Sequence, residues 1–211
     1  MGNTQNIFFL EVETEDKNLI SKKFPQAKII HKVLSEKEII KQCREAEILC
    51  TFIYSKISNK VIESLPCLKL IVTRSVGYDH IDLQAAKKRG IIVCNVPDYG
   101  TEEVADHAIA LSLALCRQLF PLDAEAKRLG WTIRVQDRIR RLRELTFGIV
   151  GLGRIGTATA LRAKALGFQV SFYDPYLPNG IDKAIGVSRE HSLQDLLKKT
   201  DVLSIHCPLN H

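Results

Sequence analysis

Three glycines have the spacing of a turn that brings backbone against a pyrophosphate: Gly151, Gly153 and Gly156, in Gly151-Leu152-Gly153-Arg154-Ile155-Gly156. An apolar strand ends in Val150 before them, and a helix opens at Arg154 after them. A second strand, FQVSFY, then ends at Asp174, 23 residues beyond Gly151. At that distance a carboxylate meets the ribose of an adenine dinucleotide. Each part has a mechanical reason. Gly151 makes the tight turn, Gly153 allows close approach of the phosphates, and Gly156 lets helix pack on strand. The helix start adds unpaired N–H donors and a positive dipole end. Asp174 would accept from both ribose hydroxyls and repel a 2′-phosphate, which favours NAD(H) over NADP(H); otherwise it is a turn residue before Pro175. His206, Cys207, Pro208 and Leu209 end a fourth strand, DVLSIHCPL. In a dinucleotide fold that strand lies beside the first, and its end would line the pocket near the second ribose and nicotinamide. The alternative there is a strand that simply runs into a loop.

The elements that must position these residues alternate strand and helix. IFFLEV (7–12), AKIIHKV (27–33), ILCTFIY (48–54), LKLIVTRS (68–75) and IIVCNV (91–96) read as strands. Between them KNLISKKF reads as a helix, and Ser35 with Glu38 forms a capping box for a second helix whose Ile39, Ile40 and Cys43 share a face. Asn59 caps a helix that stops at Pro66, and Asp82 to Arg89 is helical up to Gly90. Strands separated by helices imply a parallel, doubly wound sheet. PDYG (97–100) is turn chemistry, and it marks the expected boundary between domains at 1–99 and 100–211. Thr101 is expected to cap one helix running to Phe120; apolar nearly all round from Val104, it should be buried between domains or subunits. AIGV (184–187) is expected as a short strand, and Ser192 caps a helix to Lys199.

Hydrophobic residues make up 45% and charged residues 26% of the 211, an ordinary globular balance that excludes a disordered, collagenous or coiled-coil chain. The longest uncharged apolar stretch, His107 to Cys116, is far short of the ~18 residues of a membrane span. With no signal-peptide pattern at the N-terminus, a cytoplasmic protein with no membrane partner is expected. Six cysteines without paired spacing, several inside apolar runs, read as buried reduced thiols and not as a metal site. The net charge of +6 concentrates at Lys127, Arg128, Arg134, Arg138, Arg140, Arg141 and Arg143. No aromatic interleaving or nucleic-acid motif accompanies that run, so a solvated loop is favoured over nucleic-acid binding.

Four blocks in order, RSVGYDHIDL (74–83), VCNVPDYGTEEVADHAIAL (93–111), TFGIVGLGRIGTATALRAKALGFQVSFYDPYL (146–177) and SLQDLLKKTDVLSIHCPLN (192–210), resemble the D-isomer-specific 2-hydroxyacid dehydrogenases. The likeness is nearest to the branch similar to C-terminal binding proteins and phosphoglycerate dehydrogenase-like enzymes. It implies an α/β architecture: a flavodoxin-like substrate domain, then an incomplete Rossmann domain that binds NAD. It also implies a small 2-hydroxy or 2-oxo acid as substrate, and a homodimer. By this likeness the N–H groups of Val76 and Gly77 hold the substrate carboxylate and Asp79 braces their turn; the alternative for Gly77 and Asp79 is an ordinary strand-to-helix turn. Val104 matches a position packed near the nicotinamide, and Arg154 and Ile155 match residues whose backbone meets the pyrophosphate. His80 and His107 match no catalytic position. The Arg, Glu and His that such enzymes use to polarise the carbonyl and move the proton lie, in similar proteins, beyond the fourth strand, and this sequence ends at His211. The expectation is therefore a fragment or incomplete product, inactive alone. A non-catalytic, NAD-sensing protein that recruits partners is the rival reading.

Overall fold

The computed structural model describes residues 6–130 and 139–208. The chain divides into two compact units, Met1–Tyr99 and Gly100–His211. In the first, strands β1 (Ile7–Phe9), β2 (Lys28–Ile29), β3 (Ile48–Thr51), β4 (Leu70–Thr73) and β5 (Ile92–Cys94) alternate with helices α1 (Lys17–Lys23), α2 (Glu36–Gln42), α3 (Asn59–Ser64) and α4 (Leu83–Lys88). All strand pairs are parallel, in the order β2-β1-β3-β4-β5. That is the flavodoxin-like winding, with its switch point between β1 and β3. The two-residue period of a strand sorts the core. Phe8, Leu49 and Ile71 face a cluster with Ile39, Val61, Ile62 and Ala86, while Phe9 and Cys50 turn the other way, onto Ile20 of α1.

Local signals set the helix starts here. Ser35 Oγ accepts from Glu38 N–H and the Glu38 carboxylate accepts from Ser35 N–H at 2.9 Å, a complete capping box. Ser35→Ala is expected to lower stability by about 1 kcal/mol, read as a reduced urea midpoint at unchanged slope. The α3 cap falls on Ser58, one residue before the expected Asn59.

In the second unit, α5 (Thr101–Cys116) and α6 (Leu119–Leu129) precede a short 3₁₀ turn (Leu142–Glu144). Strands β6 (Thr146–Val150), β7 (Gln169–Tyr173), β8 (Ser188–Arg189) and β9 (Val202–Ile205) alternate with helices α7 (Arg154–Ala165), α8 (Ile181–Ile185) and α9 (Leu193–Lys199). Their order is β8-β7-β6-β9, all parallel, so the third, second, first and fourth strands of the unit lie in the Rossmann sequence. Phe147, Ile149, Phe168 and Phe172 fill its core with Ala160, Ala163 and Ile109.

Several expectations need correction. Thr101 is the first helical residue and Gly100 is the cap. The single helix to Phe120 is two helices, because a proline ring at 121 would strike the carbonyl of residue 117 in a continuous helix. The chain turns at Gln118, whose φ of 52° is left-handed. The first helix, expected to be covered by a domain or a subunit, buries one face within this chain. Ala105, Ile109, Ser112 and Ala114 face inward, but Val104, Leu111 and Leu115 are exposed. AIGV is not a strand: α8 runs through Ile185 and ends at Gly186 (φ 65°), and the strand follows at Ser188. The cysteines are all free, but only Cys43 and Cys50 are buried, and burial pushes both thiols up to about 11. Cys67, Cys94 and Cys207 are exposed, and Cys94 lies on the edge strand β5. Among the described residues no helix is long and apolar enough to cross a membrane, and no cluster of metal-ligating side chains occurs.

Candidate functional site

The glycine turn sits at the carboxyl ends of β6, β7 and β9, and its three glycines stand in three different surroundings. Gly151 has a φ of +87°, and a side chain there would lie 2.8 Å from Cys207 N and 3.0 Å from the His206 carbonyl carbon. A side chain on Gly156 would be driven into the carbonyl oxygen of Gly151, so this glycine sets how closely α7 packs on the turn. Gly153 is different. Its φ is an ordinary −72°, and a Cβ there would meet nothing within 4 Å. The protein's own packing does not call for glycine at 153, whereas a ligand brought against the backbone would.

Among the described residues, the N–H groups of Gly153, Arg154, Ile155 and Gly156 have no acceptor; the first amide paired at this helix start is Thr157, with Gly153 O. No side chain caps α7. The positive end of a 12-residue helix therefore opens outward with unspent donors, an arrangement suited to phosphate oxygens. Asp174 closes the turn from the next strand: Oδ2 accepts from Leu152 N–H at 2.9 Å and Oδ1 from Tyr176 N–H at 3.0 Å. The bond to Tyr176 is the turn role anticipated for this residue. A carboxylate has about four lone-pair positions, so two remain for a pair of hydroxyls.

The end of β9 joins the same turn. His206 N–H donates to Val150 O, and its Cβ lies 3.5 Å from where a Gly156 Cβ would be. Cys207 and Pro208 are exposed beside it; Leu209 lies outside the described residues, as do Arg134 and Arg138 of the basic run. Lys127 in that run pairs with Asp123, and Arg140 with Asp201. Burial holds the His206 imidazole below its ordinary pKa of 6.5, and the ring pairs with Ser204 Oγ at 2.9 Å. A group neutral when folded but protonated below 6.5 when unfolded makes stability fall as pH drops below that value and stay level above it. His206→Gln is expected to shrink this slope in melting curves between about pH 7.5 and 5.5. His80, which burial depresses in the same direction, adds to this slope.

Val104 stands exposed in the first turn of α5. Sequence reasoning missed how that turn is held. Arg162 of α7 binds Glu102 and Asp106 together, the latter at 2.5 Å, and so ties α5 to the helix that opens at the glycine turn. Arg189 is a second omission: its guanidinium donates to the carbonyls of Asp174, Leu177 and Pro178, holding the loop behind Asp174. Neither arginine had a local signal, because the partners are remote in sequence or are backbone atoms.

In the first unit, Val76 and Gly77 follow β4. The carbonyl of Val76 accepts from Asn95 Nδ2 at 2.8 Å and that of Gly77 from Ser75 Oγ at 2.7 Å. With both carbonyls turned into the protein, the N–H groups of Val76 and Gly77 have no partner among the described residues. Two adjacent N–H donors without an acceptor suit an anionic group, as in backbone nests. Asp79 Oδ1 lies 3.3 Å from where a Gly77 Cβ would be, so the turn leaves little room for a side chain. His107 is exposed on α5, and the nitrogens of His80 are buried with no partner among the described residues.

Comparison with known proteins agrees with this geometry. Residues 7–203 match the model of the D-isomer specific 2-hydroxyacid dehydrogenase catalytic domain. The chain is 36% identical over 180 residues to D-3-phosphoglycerate dehydrogenase of Methanocaldococcus jannaschii, covering 83% of this chain and 33% of that protein. It is 35% identical over 178 residues to glyoxylate reductase of Korarchaeum cryptofilum, covering 83% and 53% respectively. Among solved structures, D-lactate dehydrogenase of Aquifex aeolicus, complexed with NAD and lactic acid, superimposes with a TM-score of 0.89 at 35% identity, over 97% of this chain and 61% of that one. The chain thus spans between a third and about half the length of these curated relatives. With nearly all of its described residues inside the family's domain model, and with both sheets wound in the order the motifs require, the chain belongs to the D-isomer specific 2-hydroxyacid dehydrogenase family.

Proposed function

We propose that residues 100–211 bind NAD, that residues 1–99 hold the carboxylate of a small 2-hydroxy or 2-oxo acid, and that the chain serves NAD-dependent oxidoreduction between the two. The observation that carries this reading is Gly153: a glycine with ordinary φ and open space beside its α-carbon, at the head of a helix whose first amides have no partner among the described residues. NAD would supply the hydride acceptor. The chain's own residues would grip it: amides 153–156 on the pyrophosphate, Asp174 on the adenosine ribose, and His206, Cys207, Pro208 and Val104 toward the nicotinamide end. Val76 and Gly77 would receive the acid through their N–H groups. The curated relatives are named as enzymes, which favours a dehydrogenase over the NAD-sensing rival. The exposed Leu111, Leu115, Leu119 and Phe120 support a homodimer, and a cytoplasmic setting accords with the free thiols.

The test is calorimetric titration of the 211-residue chain with NAD and with NADP. Uptake of NAD in preference to NADP is expected, and a folded chain that takes up neither overturns the reading. Turnover is a separate matter, because the Arg, Glu and His implied by the family resemblance are not among these residues. NADH oxidation with glyoxylate, hydroxypyruvate or 3-phosphohydroxypyruvate is expected to stay at background for these 211 residues alone, and a rate above background would contradict that expectation.

A further inference from the structure

The switch point of the first sheet lies between β1 and β3, and in folds wound this way a ligand enters the crevice outside the carboxyl ends of such strands. Here the crevice is already filled from within. Glu11, just beyond β1, is 7% exposed. Its carboxylate accepts from the backbone N–H groups of Phe52 at 2.6 Å, Tyr54 at 3.1 Å and Ser55 at 2.5 Å, and from Thr51 Oγ1 at 3.4 Å. To reach them its own backbone takes a φ of +56°, a conformation that side-chain-bearing residues avoid unless the surroundings impose it. Arg74 fixes that backbone by donating through Nη2 to Leu10 O and Glu11 O, at 2.7 and 2.8 Å.

This brace continues into the next loop. Thr73 Oγ1 lies 3.0 Å from Phe52 O and 2.5 Å from Ser75 Oγ, which lies 2.7 Å from Gly77 O; with one proton on each hydroxyl, two of these three contacts are hydrogen bonds at any moment. Polar contacts therefore join the loop 52–55, held by the Glu11 carboxylate, to the turn whose Val76 and Gly77 amides have no partner among the described residues. At its outer side that loop presents Ile53 and Tyr54, both exposed.

We propose that Glu11 is a positioning residue for substrate: a built-in anion that closes the amide nest of residues 52, 54 and 55 and, through Thr73 and Ser75, sets the Val76–Gly77 turn that grips the acid. The proposal rests on the reading of Val76 and Gly77 as the carboxylate grip. Losing the carboxylate frees three amides, slackens the loop 52–55 and lets the turn at 76–77 drift from the geometry that binds a carboxylate.

Glu11→Gly is the discriminating variant, because glycine accepts a φ of +56° while removing the anion. The amide spectrum of the ¹⁵N-labelled chain is read with oxamate as the substrate-like probe and formate as a free carboxylate. In E11G the signals of Phe52, Tyr54, Ser55, Val76 and Gly77 should all shift, and oxamate should bind roughly tenfold more weakly. NAD affinity should stay within about twofold. Formate, but not chloride, should return the 52, 54 and 55 signals toward their wild-type positions, and it should leave the wild type unmoved there. Unchanged Val76 and Gly77 signals in E11G, or formate acting no differently from chloride, overturn the proposal. If E11G does not fold, Thr73→Val decides, since it cuts the bridge and spares the nest: weakened oxamate binding supports the proposal and unchanged binding overturns it. A wild-type chain that takes up no oxamate counts against the carboxylate grip itself, and the E11G shifts at Val76 and Gly77 still decide whether Glu11 governs that turn.

Discussion

Gly153→Val is expected to abolish measurable NAD uptake, weakening it by about a hundredfold or more, while leaving the fold nearly as stable as before. The two halves of this expectation come from one fact. A Cβ at 153 meets no protein atom within 4 Å, so a side chain there enters only the space in front of the helix start. In that space a branched side chain stands between the phosphates and amides 153–156, and it removes the close approach that makes backbone donors effective. The cost to folding is small: φ is −72°, which valine accepts, and glycine at this N-cap makes no side-chain bond to be lost. Exchanging a glycine cap for a poor one costs about 1 kcal/mol at most. Calorimetry beside a thermal melt checks both halves. A variant that binds NAD as well as the parent would remove the pyrophosphate from this turn.

Gly151→Ala should do the opposite, unfolding the second unit first and losing NAD only as a consequence. Alanine at a φ of +87° carries backbone strain of about 1–2 kcal/mol. Its methyl would also lie 2.8 Å from Cys207 N and 3.0 Å from Cys207 Cα, backbone atoms that cannot rotate away. Overpacking of that kind adds about 1–3 kcal/mol, so a total of roughly 2–5 kcal/mol is expected. Gly90→Ala is the internal control, since its φ is +66° but nothing lies within 4 Å of the added methyl. That variant should show the strain alone, about 1–2 kcal/mol. Equal melting temperatures for the two variants would mean that the exit of β9 is not packed against the glycine turn.

The motif between 151 and 174 was legible because every part of it is local. Strand, turn, helix and second strand follow within thirty residues, and the glycine spacing is set by backbone sterics that no distant residue alters. The Ser35–Glu38 capping box and the Gly90 stop were legible for the same reason. The break at Gln118 was missed although Pro121 signals it, because apolar residues continue on both sides of Arg117 and Gln118. Strand ends were overrun throughout, as in ILCTFIY, where only Ile48–Thr51 pairs. Apolarity continues past the point where the neighbouring strand stops offering hydrogen bonds.

By itself, the sequence determined the alternation of strand and helix, the parallel sheets, and the glycine turn with its carboxylate, all consequences of short-range sterics and periodicity. Only the tertiary structure decided which polar groups serve that frame: Glu11 reaching the amides of 52, 54 and 55, Arg162 joining Glu102 and Asp106, and Arg189 gathering three carbonyls. A buried charge must find its partners wherever folding brings unpaired groups together, and those meetings span tens of residues that no local pattern records.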